Sequence, residues 1–249
     1  MTSIANYWRI AREPRYSLTF ALPLLLAYEV LAVSLSGHEI AGVRNGADVL
    51  LKHLFLALGG RDGLIVFGAL LVGAGAWAVL RDRRSKPVEP PVFALMLAES
   101  VLYALLFGLV TGTLTSLLLP GLVLVAPAPA LSIQAAAQWS LPTQLMISLG
   151  AGIYEELLFR VLLVSGLALL VGRVFYWSPT AAGVFAVVLG ALIFSAFHYI
   201  GPYGDTLEVA SFTFRAVAGV LFSGLYLLRG FGITAWTHAL YDVFLAIGR

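Results

Sequence analysis

Apolar runs close to the 20 residues that a membrane-crossing helix needs recur along this chain. They lie at Ser17 to Ser36, Gly63 to Leu80, Phe93 to Leu119, Pro142 to Val171, Pro179 to Ile200, Ser211 to Leu228 and Phe231 to Ile247. Nothing else in the sequence restricts the fold as strongly, because in lipid each segment must satisfy its own backbone N–H and C=O groups. The expectation is an all-α, polytopic membrane bundle of about seven, or eight, transmembrane helices, forming a single integral-membrane domain over 1–249. An eighth element is Gly46 to Leu58, a short amphipathic stretch with Asp48, Lys52 and His53 along one side. Only 11% of the 249 residues are charged and mean hydropathy is +0.94, against about a quarter charged in soluble domains. The net charge of +2 comes from Arg clusters flanking apolar runs, with no basic stripe to track phosphates, so nucleic acid is not an expected partner. The absence of cysteine excludes disulfides, thiol catalysis and cysteine-ligated metals.

Orientation follows from where Lys and Arg fall. Arg9, Arg12 and Arg15, then Arg81, Arg83, Arg84 and Lys86, then Arg173 and Arg229 all lie on one side of a seven-span chain. This places the N-terminus in the cytoplasm and Arg249 outside. The basic start followed by an apolar run resembles a signal peptide, but the run contains Glu29 and is succeeded by further spans, so a retained first helix is expected. Gly108 and Gly112, and the glycines at 68, 73 and 75, are read as helix-packing positions. The connection from Pro120 to Pro142 has no charged residue and is expected to hug or dip into the membrane surface.

Against this background the segment Gly150 to Arg160, G-A-G-I-Y-E-E-L-L-F-R, stands out. Each charge near the bilayer centre costs about 2.5 to 3.5 kcal/mol, and each Leu, Val or Phe returns only about 0.3 to 0.6. The apolar neighbours therefore offset roughly one charge of three, and the others must be paired or hydrated inside the protein. Glu156 and Arg160 are four residues apart, so they share a helical face and can pair, while Glu155 points about 100° away toward another partner. Two later runs carry similar pairs, Phe194 with His198 and His238 with Asp242. Three such faces converging on a wet cavity would house these groups. One carboxylate and one imidazole can activate a water, and the second pair can stabilise the oxyanion formed on attack at an amide.

The three motifs, Glu155-Glu156-Leu157-Leu158-Phe159-Arg160, Phe194-Ser195-Ala196-Phe197-His198 and His238-Ala239-Leu240-Tyr241-Asp242, resemble in type and order those of the CPBP family. These intramembrane endopeptidases include the Ras-converting CAAX prenyl protease and bacteriocin-processing relatives. The resemblance covers about Pro142 to Asp242 and marks 142–249 as the motif-bearing catalytic core. It implies that Glu155 and His198 activate the water, that His238 with Asp242 forms the oxyanion site, and that Glu156 and Arg160 hold the helix together. It also implies a glutamate protease with no metal and no cofactor, acting on a peptide or protein substrate in or at the membrane. The Ras-converting members carry Asn in the last motif. An ionised Asp242 donates no hydrogen bond, so it serves as oxyanion donor only if protonated, and otherwise it orients His238.

Other readings remain. Glu155, His198, His238 and Asp242 are acceptable zinc ligands, which would make the protease metal-dependent. A non-catalytic binding or immunity protein could use the same fold. A proton-coupled transporter would need two-sided access, but the sequence has no repeated halves. Glu29 is a candidate for the cavity and Glu99 is expected to snorkel toward the basic loop. Phe194 is read as a packing residue, Tyr154 as adjoining the site or equally a packing residue, and His38 and His53 as solvated. The Ala, Leu, Gly and Arg richness points to a GC-rich prokaryote and its plasma membrane. On the span count His198 lies near the external end, whereas Ras-converting relatives are expected to work on cytosolic substrates.

Overall fold

The computed structural model describes residues 4–35, 44–83, 88–120, 139–201 and 204–248. His38, Arg84, Lys86, Arg249 and most of the Pro120 to Pro142 connection lie outside them. The described residues are all-helical, without a strand. We number the helices α1 (Ile4–Ile10), α2 (Pro14–Leu35), α3 (Gly46–Arg83), α4 (Pro90–Leu118), α5 (Leu141–Val174), α6 (Pro179–Phe197), α7 (Val209–Arg229) and α8 (Phe231–Ile247).

Six stretches are long and apolar enough to cross a membrane: α2, residues Ile65–Asp82 of α3, and α4 to α7. The amphipathic stretch at Gly46 is the first part of α3, separated from the spanning part by a bend at Gly59 and Gly60. Gly60 has φ +59°, a conformation that glycine adopts without a Cβ penalty. Asp48, expected on a polar outer face, is instead fully buried, because its carboxylate closes a network described below.

The shortest apolar helix is the innermost. With 17 residues, α8 is about 25 Å long at 1.5 Å per residue, under the ~30 Å of a hydrocarbon core. It is flanked by α2, α4, α5 and α7 rather than by lipid. Its sequence explains the placement: Gly232, Thr234, Ala235, Thr237 and Ala239 are small and buried, so neighbouring backbones close in. Lipid offers no hydrophobic drive between helices, and small residues with interhelical hydrogen bonds supply the cohesion. Trp236 Nε1 donates to the Phe20 carbonyl at 2.6 Å and the Gly232 N–H to Ser17 Oγ at 2.8 Å.

Of the glycines that spacing had picked, Gly108 makes a tight contact, a Cβ there lying 3.0 Å from the Tyr241 ring, and closer approaches lie elsewhere. Gly68, Gly73, Gly75 and Gly112 have nothing near a built Cβ, whereas a Cβ on Gly152 would sit 2.4 Å from the Ala235 carbonyl oxygen. That crossing brings α5 against α8 beside the paired glutamates. On α7, Arg229 is bound by Glu99 through Nε and Nη2 at 2.6 and 2.7 Å and donates Nη1 to the Trp8 carbonyl at 2.9 Å. Glu99 therefore does not snorkel toward the loop after Asp82; its charge is neutralised by the end of α7. Arg15 meets Asp82 and the Glu89 N–H donates to Tyr16, so the N-terminal segment, the C-terminal end of α3, the start of α4 and the 229–231 turn share one end of the bundle. Every helix reverses direction after that, which puts His198 at the opposite end.

Candidate active site

The helix bearing the paired glutamates departs from α geometry. Ala151–Glu155 and Leu157–Val164 are π-helical, a form concentrated at functional sites. Its wider i→i+5 turn rotates successive residues by less than the 100° of an α-helix. Glu155 and Glu156 thus both face inward, at 7% and 0% exposure.

Glu156 is shared between a guanidinium and an imidazole. Oε2 lies 3.1 Å from Arg160 Nε, and Oε1 lies 2.7 Å from His238 Nδ1. A carboxylate facing Nδ1 requires the proton there, which fixes the ring and turns Nε2 toward Asp242. Asp242 Oδ2 is 3.7 Å from Nε2, beyond hydrogen-bond length. The hydrogen bond that holds the His238 ring in this arrangement thus comes from Glu156 and not from Asp242. The Arg160 Nη atoms have no hydrogen-bond partner among the described residues. Instead the guanidinium carbon lies 4.4 Å from the Phe194 ring centre and 5.3 Å from that of Phe222.

His198 follows the last residue of α6. Its Nδ1 is 2.9 Å from the Phe194 carbonyl, an acceptor only, so Nδ1 carries hydrogen and Nε2 of the neutral ring is left as acceptor. Phe194 is thus more than the packing residue expected: its carbonyl sets the His198 tautomer and its ring faces Arg160.

Glu155 lies within electrostatic reach of His198, His238 and Arg160. Oε1 accepts from Asn45 Nδ2 at 2.8 Å, and Oε2 has no hydrogen-bond partner among the described residues. Exposure increases outward from Glu156 to Asp242, whose side chain is 31% exposed.

Glu29 and Tyr154 belong to a neighbouring network. Tyr154 donates to Glu29 at 2.7 Å, Tyr28 donates to Asp48 at 2.7 Å, and Arg44 and Lys52 each pair with both carboxylates. His53 is exposed. Sequence reasoning missed Asn45, which lies 110 positions before Glu155, and Phe222, whose ring stacks on His238 at 4.3 Å. The only local sign of Asn45 is an Asn just ahead of an amphipathic helix. Phe222 sits in α7, the one long helix of the motif-bearing half without a motif. Among the described residues no three His, Asp or Glu side chains are grouped as a metal ion would need.

Fold and site together define a polytopic helical membrane protein with a buried acid and imidazole centre. Residues 137–244 match the family described as Type II CAAX prenyl endopeptidase Rce1-like, and the resemblance carried by the three motifs is thereby shown for the segment that holds them. The match implies CAAX-type intramembrane protease activity. No curated protein and no solved structure matches the chain.

Proposed function

We propose that the protein is an intramembrane endopeptidase that hydrolyses a peptide bond of a membrane-associated protein with water activated by Glu155 and His198. The observation that carries this reading is the unequal partnering of the adjacent glutamates. Glu156 Oε1 is hydrogen-bonded by His238 and Oε2 is ion-paired with Arg160, while Glu155 Oε2 has neither a hydrogen bond nor an ion pair among the described residues. A water donating one O–H to Glu155 Oε2 and the other to His198 Nε2 turns a lone pair toward the carbonyl carbon. As the C–O bond forms, Oε2 takes the proton. The carbonyl electrons move onto oxygen, and His238, protonated on both nitrogens with Nδ1–H on Glu156, donates Nε2–H to that oxyanion. Collapse breaks the C–N bond and Glu155 returns its proton to the leaving amine. Asp242 steadies the Nε2 side of the ring between turnovers. Residues 142–249 act as the catalytic core of a single domain in the plasma membrane of a prokaryote, and no step passes through a metal.

Glu155→Ala and His198→Ala are expected to abolish cleavage of a farnesylated CAAX peptide reporter in a protein that still folds, with wild-type activity unchanged by chelator. Retained cleavage in both variants would sink the reading. The basic end is cytoplasmic on the positive-inside rule. Single cysteines at exposed Arg81 and Glu208 check this, since an impermeant maleimide should label only Glu208→Cys in intact cells. The reverse pattern turns the protein over.

A further inference from the structure

Asn45 is the one residue outside the three motifs that hydrogen-bonds Glu155 among the described residues, and every atom around it limits what it can do. It is 3% exposed and immediately precedes α3, where its carbonyl accepts the Val49 N–H at 3.1 Å. Its side-chain Oδ1 accepts the Ala47 N–H at 2.9 Å, the arrangement of a helix N-cap. Its own N–H is given to Tyr28 Oη at 3.3 Å, and Tyr28 is held in turn by Asp48 at 2.7 Å. Gly150 permits the approach: a Cβ there would lie 2.7 Å from Asn45 Cβ and 2.6 Å from the Tyr28 ring.

With Oδ1 committed to a backbone donor, the amide cannot flip without setting its NH2 against the Ala47 N–H. Nδ2 therefore faces Glu155 Oε1 at 2.8 Å and can only donate. Oε1 must accept in either protonation state of Glu155, so a proton on this carboxyl resides on Oε2.

We infer that Asn45 is a positioning residue that fixes the Glu155 carboxylate and reserves Oε2 as the atom that takes and returns the proton. This rests on the reading of Glu155 as the base. The proton passes from water to Oε2 as the C–O bond forms and from Oε2 to the leaving amine as the C–N bond breaks, while Oε1 remains bonded to Asn45 throughout. The first part of α3 thereby acts as a rigid mount, keyed through the Tyr28 and Asp48 network, for a base carried on α5.

The test uses Asn45→Asp and Asn45→Ser in the full chain. Both residues are favoured N-caps, so α3 is kept, and neither places an N–H on Oε1. With the farnesylated CAAX reporter, kcat should fall about 10- to 100-fold, as expected for loss of a hydrogen bond to a charged group, while KM stays within about threefold. Independently of any substrate, the infrared carboxylate band removed by Glu155→Gln should shift in both Asn45 variants. Wild-type kcat in either folded variant, an unmoved band, or loss of fold in both would overturn the inference. Failure of wild-type protein to cleave while the band still shifts would instead count against the proteolytic reading and leave the Asn45 to Glu155 link standing.

Discussion

Two arginines are buried almost completely, each beside a glutamate, and they differ in how fully they are bonded. Arg229 and Arg160 are both 1% exposed. Arg229 directs Nε and Nη2 to Glu99 and Nη1 to a carbonyl, and Trp8 covers its face at 4.2 Å. Arg160 has Glu156 near Nε alone, and two phenylalanine rings in place of acceptors for its Nη atoms. A saturated bidentate pair is the cheapest way to keep charge inside a membrane protein. The under-bonded pair persists because Glu156 spends its second oxygen on His238. Full satisfaction marks a staple between helix ends; divided satisfaction marks the place where a charge orients a reacting group.

The widest separation of the two regions should come from Glu155→Gln. General acid and base catalysis contributes about 10²- to 10⁴-fold, so the reporter assay should lose activity by that factor while thermal melting stays near wild type. A variant that melts early and keeps its turnover would place Glu155 among the staples. Next in size is Arg229→Met, which leaves Glu99 charged and buried. Breaking such a pair costs about 3 to 5 kcal/mol, read as a large drop in melting temperature, with kcat per folded molecule unchanged. Loss of kcat at constant stability would erase the distinction drawn here.

The same contrast explains what could be read from the chain alone. Pairs four residues apart, Glu156 with Arg160 and His238 with Asp242, are visible because helical spacing is a local property. The apolar runs set the helices for the same reason. Asn45 could not be found this way, since its bond to Glu155 depends on how α3 and α5 meet at Gly150, a matter of tertiary contact between glycine, tyrosine and backbone. Nor could the division of Glu156 between Arg160 and His238, which needs α8 threaded through the bundle with its small residues outward. Regular glycine rows misled at Gly68 to Gly75, while the irregular Gly150 and Gly152 carry the close approach. The π-helical turns that carry the two adjacent glutamates have no signature in residue spacing.

Glu156→Gln sharpens the comparison at the shared carboxylate. Gln keeps an acceptor for one neighbour and loses the charge that serves both, so turnover should fall about 10- to 100-fold, the loss of a charged hydrogen bond. Phe222, stacked on His238 and facing Arg160, keeps the ring from collapsing, so melting should drop less than in Arg229→Met. Equal losses of stability in the two variants would make both pairs staples.

The smallest effect is expected for Asp242→Asn, which restores the residue carried by the Ras-converting relatives. At 3.7 Å from Nε2 and 31% side-chain exposure, Asp242 interacts with His238 through partly screened charge, worth up to about 1 kcal/mol. Turnover of the reporter should therefore stay within about fivefold of wild type, because the ring orientation is set at Nδ1 by Glu156. Asn can also donate to an oxyanion, which Asp can do only when protonated. A fall of more than a hundredfold would shift the orienting of His238 from the shared glutamate to the outer carboxylate. The under-bonding of Arg160 would then have no part in the chemistry.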